Sequence, residues 1–295
     1  MNSRFKINTL LVLVAFIWGF GFIPQKLGMN YVGPAAFNAL RFALGAATLL
    51  PLIFFLRARQ RAEFDQKVTQ STIAVGVVLG ALLFFGALFQ QMALLYTSVA
   101  NVAFITGLYV ILVPVIGFFL GVRYAAIVWA GGLLAIVGLY LMTGGGQASA
   151  LKGDLIALIG ALAWAVHIMV LSRRSGDHQQ VALAAYQFAF CAIFSLLFAL
   201  IVEPNVLPET IEGYLWPLVN GVIVVGVGYT IQVLVMDRAE PFQASLIFSL
   251  EAVFGAIAGY WIFDESFTIA ALIGAMLMLI GCILAQSPSA ENSSP

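Results

Sequence analysis

The sequence predicts an all-α, polytopic membrane protein with about ten transmembrane helices in two inverted five-helix repeats. Composition predicts the class: of 295 residues, 62% are hydrophobic and only 9% charged, and the mean hydropathy is +1.04. A water-soluble core of this size does not carry so little charge. The spacing of the apolar runs predicts the element count, since one span takes about 20 apolar helical residues and the loops left over are too short for a soluble domain. A weak internal repetition predicts the arrangement.

The runs fall at 9–28, 34–56, 72–93, 99–120, 124–143, 154–172, 180–202, 215–236, 243–262 and 268–285. The first follows Arg4 and Lys6 as a signal peptide would, but it continues past Trp18 without a small-residue cleavage site and is expected to stay as helix one. Arg57, Arg59, Arg61 and Lys67 separate the second run from the third, Gly121-Val122-Arg123 the fourth from the fifth, and Gly144–Gly146 the fifth from the sixth. Arg173 and Arg174 close the sixth, an acidic loop at 203–214 closes the seventh, Asp237-Arg238 the eighth and Asp264-Glu265 the ninth. None of the runs alternates over about 10 residues as a barrel strand must, and lipid offers an open strand no hydrogen-bond partner. Helices are therefore the expected elements throughout.

Lys and Arg set the expected orientation. With the N-terminus in the cytoplasm, Arg4, Lys6, Arg57, Arg59, Arg61, Lys67, Arg123, Arg173, Arg174 and Arg238 lie inside, and Lys152 is the one basic residue of an outer loop. The outer loop 203–214 carries Glu203, Glu209 and Glu212. Both termini are expected to be cytoplasmic, in a bacterial inner membrane.

A shift of 143 lays Gly131, Leu134, Gly138 and Leu141 on Gly274, Leu277, Gly281 and Leu284. A shift of 146 lays Trp18 on Trp164 and Ala39-Leu40-Arg41-Phe42-Ala43 on Ala185-Tyr186-Gln187-Phe188-Ala189. A repeat unit with an odd number of helices inserts its second copy upside down, as in many secondary transporters. The expected units are 1–146 and 147–286, followed by a disordered cytoplasmic tail at 287–295.

Three charges fall inside spans: Glu251 in helix nine, Arg41 in helix two and Lys26 near the outer end of helix one. Burying such a group costs about 3 kcal/mol or more, so each asks for a reason. Glu251 lies about 12 Å from the nearer end of its helix, near the bilayer centre, where a carboxylate can exchange a proton or only hydrogen-bond a neighbouring helix. Arg41 has three readings: a contact for an anionic substrate group, a partner for Glu251, or a side chain reaching for headgroups. For Lys26 the last reading is favoured. Among neutral groups, Trp18, Trp164, Asn38, Asn101, Tyr109, Gln187 and Tyr229 are the substrate-contact candidates, and Gln25, Gln90, Gln91, Asn220, Gln232 and Ser249 are polar residues of the same spans. Trp18 and Trp164 sit mid-helix, away from the headgroup belts, and are either opposite walls of a cavity or packing residues. Pro24 and Pro114 can loosen helices one and four. Gly117-xxx-Gly121 and Gly255-xxx-Gly259 allow close helix approach within the chain or at a homodimer seam.

The chain resembles the drug/metabolite transporter superfamily, in particular its EamA-type members with two five-helix repeats. The resemblance rests on Trp18-Gly19-Phe20-Gly21-Phe22, Ala39-Leu40-Arg41-Phe42, Thr97-Ser98-Val99-Ala100-Asn101, Leu250-Glu251-Ala252-Val253-Phe254 and Asp264-Glu265-Ser266, and spans roughly 7–286. Two positions depart from it: Val122 stands where the first repeat often has an acidic residue, and Ala252 where proline is frequent. The resemblance implies export of amino acids, other metabolites or drugs, with a small molecule and the bilayer as partners.

The expected function is thus secondary transport by alternating access, coupled to protons through Glu251 or facilitative, with a membrane channel or a non-transporting membrane assembly protein as the alternative. An enzyme is not expected, because His167 and His178 are the two histidines and no intramembrane aspartate pair or Ser/Lys dyad is present. No Gly-rich loop ahead of Lys-Ser/Thr points to ATP. Cys191 and Cys282 lack the spacing of a metal or redox motif, so neither metal nor cofactor is expected. A net charge of zero leaves no basic face for nucleic acid.

Overall fold

The computed structural model describes residues 3–59, 66–142, 148–175, 179–239 and 241–285. Ten apolar helices fill these ranges: α1 (Ser3–Gly28), α2 (Pro34–Arg59), α3 (Gln66–Ala93), α4 (Val99–Gly107, continued by Tyr109–Phe119), α5 (Ala126–Met142), α6 (Ala148–Arg174), α7 (Gln180–Val202), α8 (Ile211–Met236), α9 (Pro241–Phe248, continued by Leu250–Phe263) and α10 (Ile269–Ala285). No strand occurs among the described residues. Eight of the ten are long and apolar enough to cross a membrane. α5 and α10 have 17 residues each, about 26 Å of helix and the lower limit for a crossing. α1, α3 and α6 start about one and a half turns before their apolar runs, because hydropathy marks the lipid-facing stretch while hydrogen bonding carries the helix on past it. The tail 287–295, Arg61 and His178 lie outside the described residues, as do the side chains of Arg4, Arg57, Arg59, Lys67 and Cys282.

Three helices are irregular at mid-depth. α4 breaks at Leu108, where Leu108 N–H turns back to the Ile105 carbonyl at 3.1 Å. α9 breaks at Ser249, whose hydroxyl donates to the Leu246 carbonyl at 2.6 Å. α8 widens to π geometry over Asn220–Tyr229, shortly after Pro217. Proline explains little of this: α1 runs unbroken through Pro24, α4 breaks ahead of Pro114, and α9 breaks without a proline at Ala252. Wide turns inside α-helices concentrate at functional sites because they re-aim the side chains that follow.

The helices pair as α2 with α7, α5 with α10 and α4 with α9, as α3 with α6 and α7, as α8 with α1 and α2, and as α1 with α9 beside α4 with α6. Moving every number by five returns the same set. Close seams use glycine. A Cβ on Gly19 would stand 2.4 Å from the Phe254 Cβ and 2.9 Å from the Glu251 carbonyl oxygen, so α1 touches α9 backbone to backbone. Gly255 meets Ala103 of α4 in the same way, so this spacing serves a seam within the chain. Gly19→Ala is expected to destabilise the protein by about 1–3 kcal/mol through overpacking. A melting curve in detergent that matches the native one would contradict so tight a seam.

Two helix starts are closed by carboxylates from distant segments. Glu203, at the end of α7, accepts the N–H groups of Ala35 and Ala36 at 2.7 and 2.9 Å. Glu265, after α9, accepts those of Val99 and Ala100 at 2.7 and 3.1 Å. Each carboxylate satisfies two N–H groups that the first turn of a helix leaves without partners.

Candidate functional site

The irregular stretches of α4, α8 and α9 meet at one interior cavity. It is lined by Trp18 and Gln25 of α1, Arg41 of α2, Gln90 of α3, Thr106 and Tyr109 of α4, Trp164 and Ile168 of α6, Val224, Tyr229 and Gln232 of α8, and Glu251 of α9. All twelve are buried, and the open volume is 20 Å³, about the room of one water molecule. A larger space of 740 Å³ lies between α2 and α7, but alanines such as Ala43 and Ala189 line it and no charged side chain does. The chemistry is in the smaller one.

Arg41 is the least expected wall residue. It is 1% exposed, so its guanidinium cannot reach headgroups. Its Nε donates to Asn38 Oδ1 at 2.8 Å and its Nη1 to Asn220 Oδ1 at 3.1 Å. The Phe42 and Phe37 rings lie 4.9 and 5.8 Å away. Asn220 is held in turn by donating Nδ2 to the Gly21 carbonyl at 3.0 Å. Among the described residues neither Arg41 nor Glu251 makes an ion pair. A buried cation supported by neutral oxygens and ring faces keeps its charge available to an incoming anion.

Glu251, in the same lining, is 3% exposed and accepts from the Tyr109 hydroxyl at 3.5 Å. Tyr229 lines the same cavity as Arg41 and Glu251. Its ring contacts Trp18 at 4.7 Å and Trp164 at 5.8 Å between centroids, so both tryptophans are cavity walls. Buried polar atoms without partners gather here: Nε1 of Trp18 and Trp164, Oε1 of Gln25 and Gln232, and Nη2 of Arg41. Leaving such groups unpaired is costly, so each calls for a partner.

Five of the eight substrate-contact candidates therefore meet in the cavity: Trp18, Arg41, Tyr109, Trp164 and Tyr229, joined by Glu251. Asn38 stands behind Arg41 as its support. Gln187 is turned to His167, its Oε1 3.0 Å from Nε2. Asn101 sits at the α4 start, donating to Thr97 Oγ1 at 3.1 Å beside Asp154. Lys26 does not reach for headgroups but donates to the Leu94 carbonyl at the end of α3.

The sequence profile of the EamA-like transporter family matches residues 5–144 and again 151–286. The chain belongs to the EamA-like transporter family. It is a multi-pass membrane transporter and not an enzyme. Among its relatives, an uncharacterised transporter of Archaeoglobus fulgidus is 30% identical over 278 residues, covering 93% of this chain and 83% of that one. The uncharacterised transporter YoaV of Bacillus subtilis is 26% identical, covering 95% and 96%. The threonine/homoserine exporter RhtA of Escherichia coli K12 is 28% identical over 288 residues, covering 94% and 88%. A crystal structure at 21% identity superposes with a TM-score of 0.68 over 95% of this chain and 96% of that one, a likeness of fold.

In this EamA-like transporter the cavity also includes Gln25, Gln90, Thr106 and Gln232, which the sequence alone does not mark as contacts. Helical spacing is the signal that could have found them. Gln25 lies two turns after Trp18, Gln232 one turn after Tyr229 and Thr106 one turn before Tyr109, so each shares a face with a stronger candidate. Gln90 Nε2 donates to Thr106 Oγ1 at 3.2 Å, tying α3 to α4. Asn220→Asp is expected to pair with Arg41 internally and abolish transport, while giving up the bond to the Gly21 carbonyl. A variant that transports at the native rate would show that Arg41's open charge is not used.

Proposed function

We propose that the protein is an alternating-access exporter of small zwitterionic metabolites of the amino-acid type, in a bacterial inner membrane with both termini cytoplasmic. The observation that carries the reading is that one small interior cavity is lined both by a guanidinium whose Nη2 has no hydrogen-bond partner and by a carboxylate. A free amino acid presents a carboxylate and an ammonium a few bonds apart, and burying both is favourable only where each meets an opposite charge. The exporter function of RhtA supports the substrate class.

In this reading Arg41 binds the cargo carboxylate and Glu251 takes either the cargo ammonium or a proton, which gives a means of coupling to a proton gradient. The units 1–146 and 147–286 act as inverted repeats that rock about the cavity, a reading supported by the twofold family match and by helix pairing that returns when numbers move by five. With 20 Å³ between them, the walls must part to admit a cargo.

The test is counterflow in proteoliposomes with labelled threonine and homoserine, set against analogues lacking the amine or the carboxylate. Saturable counterflow of the intact amino acids, with both truncated analogues at least about tenfold poorer, is the expected result. Equal exchange of all compounds without saturation would support a pore instead.

A further inference from the structure

The shift of 146 that lays Trp18 on Trp164 also lays Gly21 on His167 and Arg41 on Gln187. At the first of these places Asn220 joins the two residues, donating to the Gly21 carbonyl at 3.0 Å and accepting from Arg41 Nη1 at 3.1 Å. At the second the side chains meet directly, His167 Nε2 lying 3.0 Å from Gln187 Oε1. Arg41 stands two turns after the start of α2 and Gln187 two turns after the start of α7, about 10 Å along each helix. Successive helices alternate in direction, so α2 and α7 start on opposite surfaces. With both termini cytoplasmic, as proposed, Arg41 lies at that depth from the outer surface and Gln187 from the inner one.

His167 and Gln187 are both fully buried, and each keeps one polar atom without a partner, Nδ1 and Nε2. The choice of tautomer does not remove the surplus. If Nε2 carries the imidazole proton it donates to Oε1, and Nδ1 is left as an acceptor and the amide nitrogen as a donor; with the other tautomer and the amide turned over, the two roles exchange. An apolar pair of the same shape would be at least as stable, so stability alone does not account for these side chains. His167 lies one turn beyond Trp164 towards the inner surface, the two rings edge to face at 5.9 Å, so the pair adjoins a wall of the central cavity. What covers it is α3. A Cβ on Gly76 would stand 2.6 Å from the Tyr186 Cβ, and one on Gly80 2.9 Å from the Gln187 carbonyl oxygen. α3 belongs to the proposed unit 1–146 and α7 to 147–286, so parting of the two units on the inner side uncovers the pair.

We propose that His167 and Gln187 form a staging site on the cytoplasmic route, where an amino-acid cargo exchanges water for hydrogen bonds before it reaches Arg41 and Glu251. The site rests on the proposed export of amino acids by alternating access. Its chemistry suits a passing contact. The spare acceptor takes an N–H of the cargo ammonium and the spare donor an oxygen of its carboxylate, so both ends of the zwitterion are met. Bonds to an amide and a neutral imidazole are weaker than those to a guanidinium and a carboxylate, so the cargo is drawn onward to the cavity. When the inner side closes, α3 covers the pair again and the two spare atoms return to the unpaired state.

The test uses Gln187→Cys in a chain whose Cys191 and Cys282 are replaced by alanine, reconstituted in one orientation, with a membrane-impermeant maleimide added to one side at a time. Labelling from the cytoplasmic side alone is expected, slowed at least about fivefold by saturating threonine. Labelling from the outer side, or from neither side, would overturn the site. A second measurement combines His167→Leu with Gln187→Leu, which removes both spare atoms together. The melting temperature is expected to hold or rise while threonine counterflow at low concentration falls about tenfold. A lower melting temperature with unchanged counterflow would make the pair a packing contact and overturn the site. Failure of the native protein to exchange threonine or homoserine overturns the cargo reading and the staging site together. Counterflow by the native protein, with labelling that threonine does not slow, overturns the staging site alone.

Discussion

Arg41→Lys lowers amino-acid counterflow by about a hundredfold if the guanidinium is the anion contact, even though charge is conserved. The guanidinium works here as a fork: Nε and Nη1 are spent on Asn38 and Asn220, and Nη2 is left for cargo. A lysine ammonium is a single point that cannot hold both asparagine oxygens and still face the cavity. Losing one charge-assisted contact costs about 1.5–3 kcal/mol, which sets the expected factor. Initial rates in proteoliposomes, with a melting curve to show that the variant is folded, make the measurement. A rate within about threefold of native would remove Arg41 from the binding site.

Glu251→Gln separates movement from coupling. Glutamine keeps the size of the side chain and an acceptor for the Tyr109 hydroxyl, which in the native chain lies 3.5 Å from the carboxylate. What it removes is the ability to bind and release a proton. Accumulation driven by an imposed pH gradient is expected to vanish, while counterflow, which needs no net proton movement, stays within about tenfold of native. Gradient-driven accumulation that survives the substitution would assign coupling elsewhere and leave Glu251 as a contact for the ammonium or a packing group.

Much of the fold was legible because lipid imposes one rule on every backbone group, and the rule appears directly as runs of apolar residues. The mid-helix placement of Trp18 and Trp164, and the rarity of charge that exposed Arg41 and Glu251, pointed to residues that line the central cavity. What the sequence left open is how Arg41 is held. Its partner Asn220 lies 179 positions away in a helix whose widened stretch has no hydropathy signature, so linear order cannot choose between pairing with Glu251, contact with headgroups and support by asparagine. Glu265 was visible as part of a familiar string, yet its role depends on N–H groups of Val99 and Ala100, and backbone donors have no letter in a sequence. Asn101 is read from the sequence as a polar group within the fourth span and a substrate-contact candidate, and the structure places it in the first turn of α4, because the hydrophobic run begins at the helix cap.

The small volume at the centre bears on how tightly a cargo can be held. With 20 Å³ between the walls, a cargo must wedge apart rings that pack on one another, Tyr229 against Trp18 and Trp164 foremost. Part of its binding energy goes into that repacking, and apparent affinity falls by the fraction of molecules ready to receive it. If the protein exports, as proposed, that cost raises the cargo concentration at which the carrier is half occupied.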